Sequence, residues 1–331
     1  IIKYMMLKKK PLISIITSSW NREKYLKILA NSLKKQTYQN FEWLIGNDGS
    51  IDNTSKFIKS LSKKVKFKIV YINSNLRIGK SKMVNLLVAR ASGKYLTECD
   101  SDDYYLPNSL KSLLDMLNQE KTKNNELDGI LAQNINTKNL SQTFKGAIPK
   151  KNELGKWESL TKKIAGDCSI IAPTKIYKKH KFLEVDFLIT EASLLNKMFK
   201  NKTFLLTPKI VKIMDRGANN SVSFGKKIQY CRGSVYCIAT EETQKKFEKK
   251  PMISKILIII NYFRYSIHGE INFNKALKML KPIKNNYFYT LLFPISYMIS
   301  LRDRFLKKVI KTHLEFEKNK NNSKISINLL N

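Results

Sequence analysis

The chain has 331 residues, enough for one large domain or one domain with a sizeable appendage. Its 43% hydrophobic and 26% charged residues exclude a disordered chain, and four cysteines without a CxxC pair beside three histidines give no zinc framework and fit free thiols. The 61 Lys+Arg against 26 Asp+Glu, a formal net charge of +35, suit anionic partners such as nucleic acid, phosphorylated small molecules or an anionic membrane, although AT-rich coding bias toward lysine accounts for the same surplus.

Residues 1–10, "IIKYMMLKKK", lack the order of a secretory signal and read as a disordered leader or as residues upstream of a true start at Met5 or Met6. "LISIITSS" (Leu12 to Ser19) then predicts a buried strand. "REKYLKILANSLKKQ" predicts a helix with Asn21 as its N-cap. "FEWLIGND" is a second strand, leading into a helix capped by Asp52 or Thr54, and "FKIVYIN" is a third. "GKSKMVNLLVARASG" is a helix closed by glycine, and "KYLTECD" a fourth strand.

This alternation with short connections predicts a doubly wound, mostly parallel α/β sheet, in which ligands bind beyond the carboxyl ends of the strands. Polar clusters fall at such ends: Thr17–Asn21, Asn47–Asp52 and Asp100–Asp103.

Beyond residue 124, "DGILAQNI" and "CSIIAPTKIY" read as strands and "TEASLLNKMFK" as a helix led by Glu191. From about residue 222 the pattern is helical. "ISKILIIINYF" and "YFYTLLFPISYMISL", each followed by basic residues, fall short of the ~20 residues that span a bilayer. They suit either core helices or segments lying in a membrane interface. The tail "EKNKNNSKISINLLN" reads as low-complexity and frayed.

Glu98, Asp100, Asp102 and Asp103 crowd together in a very basic chain and need an offsetting cation or open water. On an extended strand Asp100 and Asp102 would point the same way, and two hard carboxylates suit Mg2+ or Mn2+ bridging a diphosphate; the alternative is a solvated turn with Asp103 capping the next helix. Gly79 and Lys80 near a helix start suit phosphate. Trp157 reads either as an acceptor platform or as buried core.

In order and spacing, "ISIITSSWNREKYL", "LKKQTYQNFEWLIGNDGSIDNT", the Gly79-Lys80…Asn85 segment and "SGKYLTECDSDDYYLPNSL" resemble the family 2 glycosyltransferases of the GT-A fold, almost continuously over residues 11–115. The resemblance implies a GT-A domain over 11–221, with a nucleotide-binding half at about 11–120 and an acceptor half at about 121–221. A basic helical region over 222–315 and a flexible tail over 316–331 would follow. It implies a nucleoside diphosphate sugar donor, with Asp48 at the base or ribose, Asp100 at the ribose or donor sugar and Thr17 and Asn21 lining the nucleotide pocket. Gly79 and Lys80 would lie at the diphosphate and Asp102 would hold Mn2+ or Mg2+; the Gly-, Asn- and Ser-rich "MDRGANNSVSFGKK" reads either as a surface loop or as one ordered on binding, with Arg216 or Lys226 closing over the diphosphate. Inverting members place a carboxylate base in a Glu-Asp pair at a helix start; here Glu191 is followed by Ala192, which makes Glu191 the expected base, with Glu184 and Asp186 as substitutes in another register.

The resulting expectation is sugar transfer to a saccharide or lipid-linked acceptor, by a cytoplasmic protein peripheral at the inner face of the cell membrane and in contact with anionic lipid, with no nucleic-acid partner. A sugar-nucleotide pyrophosphorylase would want a Gly-rich loop where "TSSWNREKY" stands. A nucleic-acid binder would not carry an acidic cluster at its strand ends. A catalytically inactive scaffold of the same fold remains the rival that Ala192 favours.

Overall fold

The computed structural model describes residues 10–123, 126–136, 150–164, 167–184, 191–215, 226–240, 247–280, 288–306, 309–310 and 324–330. The chain divides into two compact units, one formed by Ile1–Phe182, Leu194–Asn219 and Asn319–Asn331, the other by Leu183–Ser193 and Asn220–Lys318.

The first unit is built on a ten-stranded sheet. Strands β1 (Ile13–Ser19), β2 (Phe41–Asp48), β3 (Lys68–Ser74) and β4 (Tyr95–Glu98) alternate with helices α1 (Glu23–Lys34), α2 (Thr54–Ser62) and α3 (Lys80–Arg90). They lie parallel in the spatial order β3-β2-β1-β4, so the winding reverses between β1 and β4. Next come β5 (Asp103–Tyr105), α4 (Ser109–Lys123), β6 (Leu127–Asn136), β7 (Glu153–Lys156), α5 (Trp157–Lys163), β8 (Ser169–Pro173), α6 (Thr174–Lys178), α7 (Glu191–Met198), whose first three residues fall in the second unit, and β9 (Thr203–Met214). β8 pairs antiparallel with both β4 and β6, β9 pairs parallel with β6, and β5 and β7 pair antiparallel with β9.

Strand alternation explains why the parallel strands carry continuous apolar runs. Ile13, Ile15, Trp43, Ile45, Ile69 and Tyr71 enter a core with α1, α2 and α4 on one face. Ile16, Leu44, Val70 and Ile72 enter a second core with α3, α5 and α6 on the other.

Several expectations are corrected. Asn21 does not cap α1; it has φ 51°, and the N-terminal Glu23 N–H donates instead to Asp52 Oδ2 at 3.1 Å. Asp52 Oδ1 also accepts from Thr54 N–H at 3.1 Å, so one carboxylate serves two helix starts. "CSIIAPTKIY" is a strand only to Pro173, which has no N–H to continue the ladder, and Thr174–Lys178 is helical. β9 falls in a stretch to which the sequence pattern assigns no element, and it carries Pro208, a residue that argues against a strand interior. The pairing skips Pro208 and Lys209 between Thr207 and Ile210, a bulge that carries the proline. The tail expected to fray holds the strand Ile325–Leu330, which covers the exposed edge of β3 antiparallel from Ser74 to Ile69.

The second unit is helical, with Ile228–Ile238, Met252–His268, Phe273–Met279 and Phe293–Phe305, the last preceded by a 3-10 turn at Phe288–Leu292. Val235, Ile259, Tyr262, Phe263 and Ala276 form its core. Among the described residues no helix is long and apolar enough to cross a membrane.

Candidate active site

The carboxyl ends of β1–β4 carry connections bonded one to the next in a ring. Asn21 Oδ1 accepts the Ile51 N–H at 2.9 Å, and Asn21 N–H donates to Ser50 Oγ at 2.9 Å. Asp48 Oδ1 accepts the Ile78 N–H at 2.6 Å, and both its oxygens lie within reach of the Gly79 N–H, at 3.2 and 3.1 Å. Lys80 Nζ reaches Asp100 Oδ1 at 2.9 Å and Glu98 Oε1 at 3.2 Å. Asp102 Oδ2 closes the ring on Arg22 Nη1 at 3.5 Å. The ring sits where the strand order reverses, the place at which an open α/β sheet leaves a crevice.

Asp48 thus secures the turn that opens α3, where backbone N–H groups would otherwise be unpaired. Burial raises its pKa against the pull of the Ile78 and Gly79 amides and of Arg77. Gly49 has φ +71°, and a Cβ there would fall 2.5 Å from backbone atoms of Leu76 and Arg77. The Arg77 guanidinium lies 3.6 Å from the Trp20 ring centroid, a cation–π stack between the first and third connections.

The acidic stretch is not an extended strand. β4 ends at Glu98, and the Asp103 N–H donates to the Asp100 carbonyl at 3.1 Å, folding 100–103 into a turn. Asp100 and Asp102 are therefore held by different cations, Lys80 and Arg22, not aligned by strand alternation. Asp103 does not cap a helix; it starts β5, buried 3.5 Å from Lys212 Nζ of β9, which also donates to the Glu98 carbonyl at 3.3 Å. Burial, then the Asp100 charge, raises the pKa of Asp102. Burial raises that of Asp103 to about 7, with Lys212 opposing. Burial works against the Lys212 charge, but its surroundings, Cys99 and Asp103 foremost, raise its pKa and keep it cationic.

Arg22 and Lys212 are the site residues that sequence reasoning missed. Arg22 was legible as the cation beside Asn21; Lys212 sits on the strand hidden by Pro208.

Thr17 is fully buried, and its Oγ1 accepts the Trp43 indole N–H at 3.0 Å, so its hydroxyl faces the core and not a pocket. Trp157 is likewise core, packed on Phe199 and Phe204 with its indole N–H on Asn196 Oδ1 at 2.8 Å. Glu191 is the first residue of α7 and is half-buried. Arg216 and Asp186 lie outside the described residues. Among the described residues no group of three or more His, Cys, Asp and Glu side chains is arranged to hold a metal ion. Among the described residues the four cysteines form no disulfide.

A family model described as Glycosyl transferase family 2 matches residues 14–178. Over 200 residues the chain is 26% identical to the GalNAc(5)-diNAcBac-PP-undecaprenol beta-1,3-glucosyltransferase of Campylobacter jejuni, an alignment covering 59% of this chain and 62% of that protein. It is 26% identical over 208 residues to the poly(ribitol-phosphate) beta-N-acetylglucosaminyltransferase TarS of Staphylococcus aureus, covering 61% of this chain and 34% of TarS. The crystal structure of S. aureus TarS 1-349 with UDP-GlcNAc superposes at a TM-score of 0.59 and 15% identity, over 89% of this chain and 92% of that one. A mannosyltransferase from Pyrobaculum calidifontis with GDP-Man and Mn2+ gives 0.51 at 10% identity, over 90% and 88%. At these identities the structural likeness speaks to the fold, which is GT-A.

Proposed function

Residues 14–178 belong to glycosyl transferase family 2, and from that premise we propose that the chain moves a sugar from a nucleoside diphosphate sugar to a hydroxyl of a saccharide or lipid-linked acceptor, in bacterial surface polysaccharide synthesis. The observation that carries this reading is the ring of bonded connections at the strand-order reversal, with its acidic turn balanced by Lys80 and Arg22. That charge arrangement suits a diphosphate: the cations now paired with Asp100 and Asp102 can turn to phosphate oxygens, while the carboxylates take a hydroxyl or a metal. The sugar nucleotides bound in the similar structures, UDP-GlcNAc and GDP-Man, and the undecaprenol-linked substrate of the Campylobacter relative support the class.

In this reading Asp48 holds the base or ribose and Asp100 the ribose or donor sugar. Asn21 fixes the shape of the nucleotide pocket, with Thr17 behind it. The Gly79 turn and Lys80 face the diphosphate. Asp102 fits a Mn2+ or Mg2+ ion: it is a hard oxygen donor whose charge is disfavoured by burial and by Asp100, and a divalent cation relieves both. Asp102 alone is too few ligands, so an ion held there would need further oxygen donors, and it would supply positive charge to offset that of the leaving diphosphate. Glu191 accepts the acceptor hydroxyl's proton as that oxygen bonds to the anomeric carbon, from which the nucleoside diphosphate departs with inversion. The site of action is the inner face of the cell membrane, with peripheral contact to anionic lipid.

The test is nucleoside diphosphate release from a panel of nucleoside diphosphate sugars, with Mn2+ or Mg2+ and with EDTA. Release of one nucleotide that EDTA and Asp102→Ala each cut by about a hundredfold or more is the expected outcome. Glu191→Ala should abolish transfer while leaving donor binding intact; full transfer by that variant would remove Glu191 as the base. Neither release nor nucleotide binding from any donor would favour the inactive scaffold, the reading for which Ala192 speaks.

A further inference from the structure

The helix Phe293–Phe305 is inverted with respect to water. Its buried residues are Ser296, Ser300 and Asp303, each fully enclosed. These side chains find partners inside: Ser296 Oγ donates to the Leu292 carbonyl at 2.9 Å and Ser300 Oγ to the Tyr297 carbonyl at 2.7 Å. Asp303 Oδ2 accepts from Arg264 at 2.5 Å and lies 3.1 Å from His268 Nε2. At about 100° per residue, Met298, Leu301 and Phe305 lie opposite this polar seam and Ile295 on its flank, while Leu291 precedes them in the 3-10 turn. They are exposed, Leu291 by 69%, Met298 by 66% and Phe305 by 87%. A helix on a protein surface normally buries the apolar stripe and shows the polar one. A contiguous apolar stripe turned outward marks a surface that something else covers.

The cover is a membrane surface by charge and by length. Arg302 lies within the stripe and Arg304 beside it, both exposed, at the height where anionic headgroups meet acyl chains. A second copy of a chain of net charge +35 would bring like charge to the same surface, whereas an anionic bilayer brings the opposite. The helix's 13 residues extend about 20 Å, short of the roughly 30 Å hydrocarbon core, so the helix lies in the plane instead of spanning it. Met252, Ile253 and Leu257 of the helix Met252–His268 are exposed as well and follow the exposed Lys249 and Lys250.

We propose that the Leu291–Phe305 stripe inserts into the headgroup–acyl boundary of an anionic membrane, with Arg302 and Arg304 pairing with lipid phosphates. This deepens the proposed membrane-held acceptor and rests on that reading only for what the anchoring serves.

The full chain would be sedimented with vesicles of phosphatidylcholine alone and of phosphatidylcholine with phosphatidylglycerol, beside Met298→Glu/Phe305→Glu and Arg302→Glu/Arg304→Glu. Wild type should pellet with the anionic vesicles. The first variant should bind about tenfold or more weakly at every salt concentration, and the second should lose the salt-sensitive part. Both change exposed positions, and circular dichroism would confirm that they fold. Equal vesicle binding by wild type and the Met298/Phe305 variant would overturn the proposal. So would a wild-type dimer that this variant renders monomeric without vesicle binding, which would make a second copy the cover. Nucleotide release is scored separately in solution, so loss of the proposed enzyme activity and loss of the membrane face are distinguishable.

Discussion

At the scale of single residues, the site depends on side chains that hold the backbone as much as on those that would touch a ligand. Asp48 is the clearest case, since its carboxylate ties down the Ile78–Gly79 turn from across the sheet. Gly49, beside it, permits that approach: its φ of +71° and the 2.5 Å distance from a would-be Cβ to the backbone at Leu76 and Arg77 leave no room for a side chain. Gly49→Ala should therefore destabilise the first unit by about 2 kcal/mol or more and weaken nucleotide binding, read by thermal melting and by nucleotide titration. The glycine and the aspartate were legible in "NDGS". The acidic turn was legible as a cluster, but its neutralisation was not. Lys80, Arg22 and Lys212 come from three separate elements, and local spacing cannot pair charges that meet only through the fold.

At the scale of elements, Glu42 shows how the parallel strands are joined at their amino ends. It is fully buried in β2, accepts from Ser14 Oγ at 2.7 Å, from Ser92 Oγ at 2.8 Å and from the Gly93 N–H at 3.2 Å, and pairs with Lys68 Nζ at 2.9 Å. It thereby links β1, β2, β3 and the connection from α3 to β4. Burial raises its pKa, but the bonds from Ser14, Lys68 and Ser92 together outweigh it, and the net shift is below the ordinary 4.5. A carboxylate lowered in the fold contributes stability that is present above pH 4.5 and disappears as pH falls through the folded-state pKa. Glu42→Ala should cost about 3 kcal/mol at neutral pH, with the gap to wild type narrowing below that point, measured by urea unfolding across pH. Element type was readable wherever periodicity was strong, as in β1 to β4 and α1 to α3. It failed at β9, where Pro208 breaks the strand pattern and the fold answers with a bulge, and at Thr174–Lys178, where β-forming residues continue past the proline that ends the ladder.

At the scale of the whole molecule, the strand Ile325–Leu330 protects the edge of the sheet at β3. Ile325 packs toward one core and Leu330 toward the other, as strand alternation requires. A chain ending before Ile325 should melt at lower temperature and associate with itself in a concentration-dependent way, seen by calorimetry and light scattering, because the ladder groups of β3 would then face water. The apolar–polar alternation of "ISINL" has the period of a strand, but nothing local says that it pairs with β3, about 250 residues earlier in the chain. The amino-acid sequence by itself determined the winding of β1 to β4, the polar strand ends and the likeness of residues 14–178 to glycosyl transferase family 2, because strand and helix periods and short motifs are local properties of the chain. The tertiary structure alone decided which cation faces each carboxylate of the acidic turn, that Thr17 and Trp157 serve the core, and that one helix of the second unit turns its apolar side outward. Those outcomes depend on contacts between residues distant in sequence, whose energies exist only once the chain has brought them together.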